Sequence, residues 1–130
     1  MNNMDLSQYF KSVIDQDRCA VVICNTSHEI IYMNPAAKER YKKWGGEALL
    51  GQNLLNCHNQ RSVQMIEKAV EWFRKSPDHN RMYTSYNEKE NKDVYMVALR
   101  QEDGELIGYY EKHEYRNRET ASFYIGIEGE

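Results

Sequence analysis

The sequence contains no apolar run that approaches membrane-spanning length, and its opening, MNNMDLSQYFKS, lacks the apolar core of a signal peptide. Both absences lead to the expectation of a cytoplasmic protein with no membrane partner. A basic block is missing too. Seventeen basic and 20 acidic residues are spread along the chain, giving a net charge of −3. Nucleic acid and anionic surfaces are therefore not expected partners. Cysteine is sparse: Cys19, Cys24 and Cys57 are an odd number without a framework spacing. Reduced thiols are expected, not a disulfide scaffold. A structural zinc site takes about four Cys/His ligands, and no paired Cys/His spacing offers them, so no metal site is expected. Glycine forms no phosphate-cradling loop, since Gly45-Gly46 reads as a helix stop. There is no internal repeat and no low-complexity segment. Catalysis lacks a motif as well. Cys57 meets His79 or His113 only through the fold, and Glu111 and Glu114, on or near one strand, read as solvent-facing.

What is present suits one domain. A chain of 130 residues can bury a real core and enclose one small cavity. Ten tyrosines and six methionines supply adaptable apolar contacts. Residues 4–16 place Leu6, Phe10, Val13 and Ile14 at helical spacing, which predicts an amphipathic helix. Ala20–Cys24 is apolar and β-branched, Asn25–His28 supplies turn formers, and Glu29–Met33 reads as a second strand. Asn34 can cap the next helix, and Pro35 fits its first turn because no N–H is needed there. That helix stops at Gly45-Gly46; Glu47–Leu50 is a short helical turn, and Gly51–Asn56 is a loop with two buried leucines. From Ser62, Val63, Ile66, Ala69, Val70 and Phe73 form one helical face, ended by Ser76-Pro77.

The last third reads as β structure. Arg81–Tyr86, Val94–Gln101 and Leu106–Glu114 are strands, joined by a charged loop from Asn87 to Asp93 and a turn at Glu102-Asp-Gly-Glu105. Strands on either side of a helical middle predict an α+β domain with one antiparallel sheet of about five strands and helices on one face. Met96 and Ala98 alternate with Tyr95, Val97 and Leu99, so both faces of that strand are apolar. One face is expected to meet the central helices. The 4–16 helix is the candidate to cover the other, from its own chain or from a partner.

The order of three blocks resembles a PAS domain: the hairpin into Asn34-Pro35-Ala36-Ala37, the Gly51 loop, and the closing hairpin VYMVALRQEDGELIGYYE. The stretch CHNQRSVQMIEKAVEWFRK resembles the PAS variety often attached to hemerythrin-like domains in anaerobic and Gram-positive bacteria. Asn59 replaces that variety's usual proline, and its customary Asp-Ile-Thr after the last strand is absent, with Glu114-Tyr-Arg in its place. The resemblance implies a sensory domain over 18–114, an N-terminal capping or dimerisation helix over 1–17, and a tail over 115–130. It implies a homodimer through Leu6, Phe10, Val13 and Ile14, an unknown signalling partner, and a small-molecule pocket at Tyr41, Leu54, Leu55, Cys57, His58, Ile66, Val70, Met96, Ala98 and Tyr109.

Haem is a candidate cofactor, with His58 or Cys57 as ligand. Flavin is not expected, because Gly51-Gln-Asn53 is followed by Leu54 where light-oxygen-voltage sensors carry their cysteine. Adjacent side chains on an extended loop point apart, so Cys57 and His58 are not expected to chelate together. The plainer expectation is that Cys57 packs inward while His58 caps the helix region. A ligand-free interaction module is the remaining alternative. The tail can add an edge strand, bind a partner or stay disordered.

Overall fold

The computed structural model describes residues 4–127. Residues 1–3 of the expected N-terminal segment and 128–130 of the tail lie outside it. Helix α1 (Ser7–Asp15) leads into strands β1 (Val22–Asn25) and β2 (Ile30–Met33). Helix α2 (Pro35–Arg40) follows, then 3-10 turns at Lys42–Trp44, Gly46–Leu49 and Leu54–Cys57. Helix α3 (Gln60–Lys75) precedes β3 (Arg81–Asn87), β4 (Lys92–Arg100) and β5 (Leu106–Tyr115). The strands form one antiparallel sheet in the order β2-β1-β5-β4-β3. The helical middle lies on one face, as the α+β pattern predicts. Cys24, Ile30, Met33, Ala37, Ala69, Val70, Phe73, Met96 and Tyr109 form the buried core between the two layers. Among the described residues, no helix is long and apolar enough to cross a membrane.

Asn34 does more than cap α2. Its Oδ1 accepts from the Ala37 and Val21 amides, each at 2.9 Å, and its Nδ2 donates to the Ile14 carbonyl at 2.9 Å and the Cys19 carbonyl at 3.0 Å. One fully buried amide thus joins α1, the linker after it, the residue before β1 and α2. The Tyr32 hydroxyl, which donates to Asp15, is the second tie to α1.

Several boundaries differ from expectation for local reasons. Helix α3 starts at Gln60 because Asn59, not Ser62, is the cap: its side chain accepts from the Ser62 amide at 2.8 Å. The helix from Pro35 breaks into 3-10 turns after Arg40, with Gly45 in the left-handed region at φ +118°. The charged loop shrinks to Glu88–Asn91, because the Asn87 side chain accepts from the Glu90 amide at 2.9 Å and Asn91 takes φ +49°. Lys92 therefore joins β4 and is buried. The tail adds no strand among the described residues and leaves Phe123, Tyr124, Ile125 and Ile127 exposed.

Helix α1 does not cover the outer sheet face of its own chain. None of its residues is buried, and Tyr9, Phe10 and Val13, with Leu6 just before it, are exposed. The helix is amphipathic as the spacing predicts, but its apolar stripe meets solvent. On the outer face the Arg81 guanidinium lies 4.2 Å from the centre of the Tyr95 ring, and Tyr83 packs beside Tyr95.

Arg40 and Lys92 close around Glu90, with N–O separations of 3.1 and 3.4 Å. The Arg40 hydrogen bonds hold the Glu90 carboxyl down at about 2, against the opposing effect of desolvation; the Arg40 and Lys92 charges add to the lowering. A depressed carboxyl stabilises the fold above its unfolded pKa and loses that contribution as pH falls through the folded value. The Glu90 contribution is thus expected to drain away between the ordinary glutamate range of about 4.3 and about 2. Urea midpoints at pH 6 and pH 3 should therefore lie closer together in Glu90→Gln than in the native chain.

Candidate functional site

A cavity of about 370 Å³ lies between the sheet and the helical layer. Its floor is the inner face of β1, β5 and β4: Val22 and Cys24, then Tyr109, Glu111 and His113, then Met96. Ile30 and Met33 of β2 close one side. Tyr41, Trp44, Leu49 and Leu54 come from the segment after α2, and Ile66 from α3. Ala20, Cys57 and His58 complete the wall. The 3-10 turns place these side chains because the chain after Arg40 cannot continue an α-helix through the left-handed Gly45 and Gly46.

The structure brings Tyr41, Leu54, Cys57, His58, Ile66, Met96 and Tyr109 of the expected pocket set to this cavity. Leu55, Val70 and Ala98 do not line it. Val70 is packed into the core, Ala98 lies against that core farther along β4, and Leu55 sits half-buried outside the wall. Cys57 is exposed and does not pack inward. It stands in a 3-10 turn, where the expectation assumed an extended loop. His58 is not the cap of α3, a role that Asn59 fills.

Glu111 is the main correction. It was expected to face solvent, yet it projects into the cavity, and only Glu114 of the two lies on the outer face, where it meets Arg81 at 2.9 Å. Strand parity carried the signal. Tyr109 is an inner residue, so Glu111 and His113, two and four positions on, share its face. Half of the Glu111 side-chain surface stays solvent-accessible where it lines the cavity. Burial pushes its carboxyl up. The hydrogen bond and charge of His113, with His58 and Lys92 farther away, outweigh that and hold it below the usual carboxylate range. His113 Nε2 is 3.1 Å from Glu111 Oε1.

His58 Nδ1 donates to the Leu54 carbonyl at 2.9 Å. In the neutral ring that bond selects the Nδ1–H tautomer, which puts the lone pair on Nε2. Tyr109 Oη lies 2.8 Å from His28 Nδ1, and burial pushes the Tyr109 hydroxyl up and the His28 imidazole down. Burial also pushes the Cys24 thiol up to about 11, which makes it a packing group and not a nucleophile. No cluster of three or more His, Cys, Asp and Glu side chains among the described residues can hold a metal ion.

A single sheet in the order β2-β1-β5-β4-β3, roofed on one face by short helices over a ligand-sized hollow, defines a cavity-bearing α+β domain. Residues 18–111 match the PAS domain family, and the chain belongs to it. No curated protein matches the chain significantly. Among solved structures, a C-terminal domain from Streptococcus mutans is similar at 20% identity, with 88% of this chain and 89% of that one covered and a TM-score of 0.63. A PAS domain from Colwellia psychrerythraea is similar at 14% identity, covering 86% and 98%, with a TM-score of 0.61. A Vibrio cholerae receptor described as a dual PAS-haem oxygen sensor is similar at 16% identity, covering 73% and 91%, with a TM-score of 0.52. At these identities the likeness shows the fold.

Proposed function

We propose that this domain is a cytoplasmic sensor that binds a small molecule in the cavity and signals through a dimer or partner surface. The cavity itself carries this reading. At about 370 Å³ it falls at the small end of the roughly 300–1,000 Å³ of ligand sites, with apolar walls and a few convergent polar groups. PAS relatives are sensory and signalling domains, generally without catalysis of their own. The unpartnered stripe of Leu6, Phe10 and Val13, with Ile14 half-buried beside it, supports a homodimer seam. The Cys57-His58 and Ser62-Val63 run supports the hemerythrin-associated variety. Ligand binding would favour one of two packings of the helical layer on the sheet, and Asn34 would carry the difference to α1.

Native mass spectrometry with an absorption spectrum, on protein purified without added cofactor under air and anaerobically, tests the reading. A bound mass supports it. Ile66→Trp, which fills the cavity at a cost of about 1–3 kcal/mol, is expected to abolish that mass while circular dichroism is retained. A bare polypeptide that takes up nothing leaves the ligand-free interaction module. Light scattering tests the seam: Phe10→Glu is expected to convert a dimer to a monomer.

A second reading rests on His58, which lines the cavity and whose Nδ1 is tied to a backbone carbonyl, the arrangement of a metal-ligating histidine. It would make the domain a haem sensor, with exposed Cys57 alongside as the redox-active thiol. The donor chemistry fits haem, but a cavity this size does not take a macrocycle unless the roof opens. A Soret band on haem addition that is lost in His58→Ala would favour this reading over the compact ligand.

A further inference from the structure

We propose that the cavity selects a compact cation: a protonated nitrogen base whose N–H groups face Glu111 and His58 and whose apolar body lies against Met33, Ile66 and Met96. The proposal rests on the reading that the cavity holds a ligand, and names its chemistry. Volume sets the size. Each liquid water occupies about 30 Å³, so 370 Å³ is roughly a dozen waters. That is room for one ring and a short chain.

Charge sets the class. No lysine or arginine lines the cavity, so an anion would meet no permanent cation there. Lys92 is buried nearby but turns to Glu90 at 3.4 Å and to the Tyr115 ring at 5.2 Å. The wall offers acceptors. Glu111 Oε1 is shared with His113 Nε2 at 3.1 Å, and among the described residues no donor reaches Oε2. A carboxylate has about four lone-pair positions, so one imidazole does not saturate it. In its neutral form His58 presents a second acceptor, because its Nδ1–H is already spent on the Leu54 carbonyl. The carboxyl also stays ionised at neutral pH, since His113 outweighs burial. A purely apolar occupant would strip water from that charge and return nothing. An ammonium or amidinium group would supply the missing donors and oppose the charge.

The test uses the full chain at pH 7 and three probes that share one body: benzylamine, benzyl alcohol and benzoate, titrated by amide NMR. Benzylamine is expected to bind about tenfold or more tightly than benzyl alcohol, and benzoate weakest, with shifts centred on His58, Met96 and Glu111. Glu111→Gln is expected to bring benzylamine down to the level of the alcohol, closing the gap between the two probes. The comparison on the native chain stands whether or not the variant folds. Three probes that bind alike, or benzoate binding best, would overturn the cation and leave cavity binding intact. No binding by any probe, in a protein whose native mass spectrum carries a bound neutral or anionic molecule, also overturns the cation alone. No binding with a bare native mass overturns both readings.

Discussion

Asn34→Ala is expected to cost about 3 kcal/mol, one of the largest losses available to a polar substitution in this chain. A lost helix cap alone costs about 1 kcal/mol. Each buried partner left unpaired adds about 1–3 kcal/mol, and Asn34 leaves four short-bonded partners: the Ala37 and Val21 amides and the Ile14 and Cys19 carbonyls. Asn34→Asp separates the two halves of the job. The carboxylate keeps both acceptor bonds but turns a lone pair on the two carbonyls, so its stability should also fall well below native. Urea unfolding at neutral pH measures both. If Asn34→Asp were as stable as the native chain, the donor half would be doing nothing. Loss of Asn34 should also loosen α1, because its Nδ2 bond to Ile14 and the Tyr32–Asp15 bond hold that helix's C-terminal end.

Gly108→Ala is expected to cost about 3 kcal/mol, at the upper end of what overpacking imposes. The reason is steric and not conformational. A Cβ on Gly108 would stand 2.1 Å from the Cys24 carbonyl oxygen, and that neighbour is backbone, which cannot swing aside. Gly108 pairs with Asn25 where β1 joins β5. In the sheet order that junction alone connects the β1–β2 hairpin to the other three strands. Amide exchange should therefore quicken in β1 and β2 while β3 and β4 stay protected. Gly104→Ala is the control. It has a positive φ of +93° but open space around it, so it should cost only about 1–2 kcal/mol and leave β1 untouched.

The parts of the fold legible in the sequence were those decided within a few residues. Asn34-Pro35 announces a helix start wherever it stands, and Asp103-Gly104 a turn. The strand runs carried their own β-branched composition. The order of strands and helices supplied the sheet, and the family resemblance the sensory class. What stayed hidden was decided across the sheet. Glu111 and Lys92 are charged residues at inner positions, and composition argues for solvent at both. Their parity argues otherwise: Lys92 shares a face with Val94 and Met96, Glu111 with Tyr109. Counting from a residue already placed inside would have overruled the charge. Cys57 misled in the opposite direction. Its type favours burial, but the turn at Leu54–Cys57 holds it at the cavity rim. Val70 and Ala98 were placed on the right layers, but their distance from the hollow depends on how far α3 and β4 run past it, which no local pattern encodes.

The central strand gives the sheet one more property. Tyr109, Glu111 and His113 look into the hollow; Tyr110, Lys112 and Glu114, interleaved with them, look out. Interior and exterior are thus printed on alternate letters of one word. A tilt of β5 that follows contact with Glu111 must turn Tyr110 and Lys112 the other way, within a single peptide plane on either side. Such a tilt would reach the outer surface without a relay of side chains, because the distance is the thickness of one backbone.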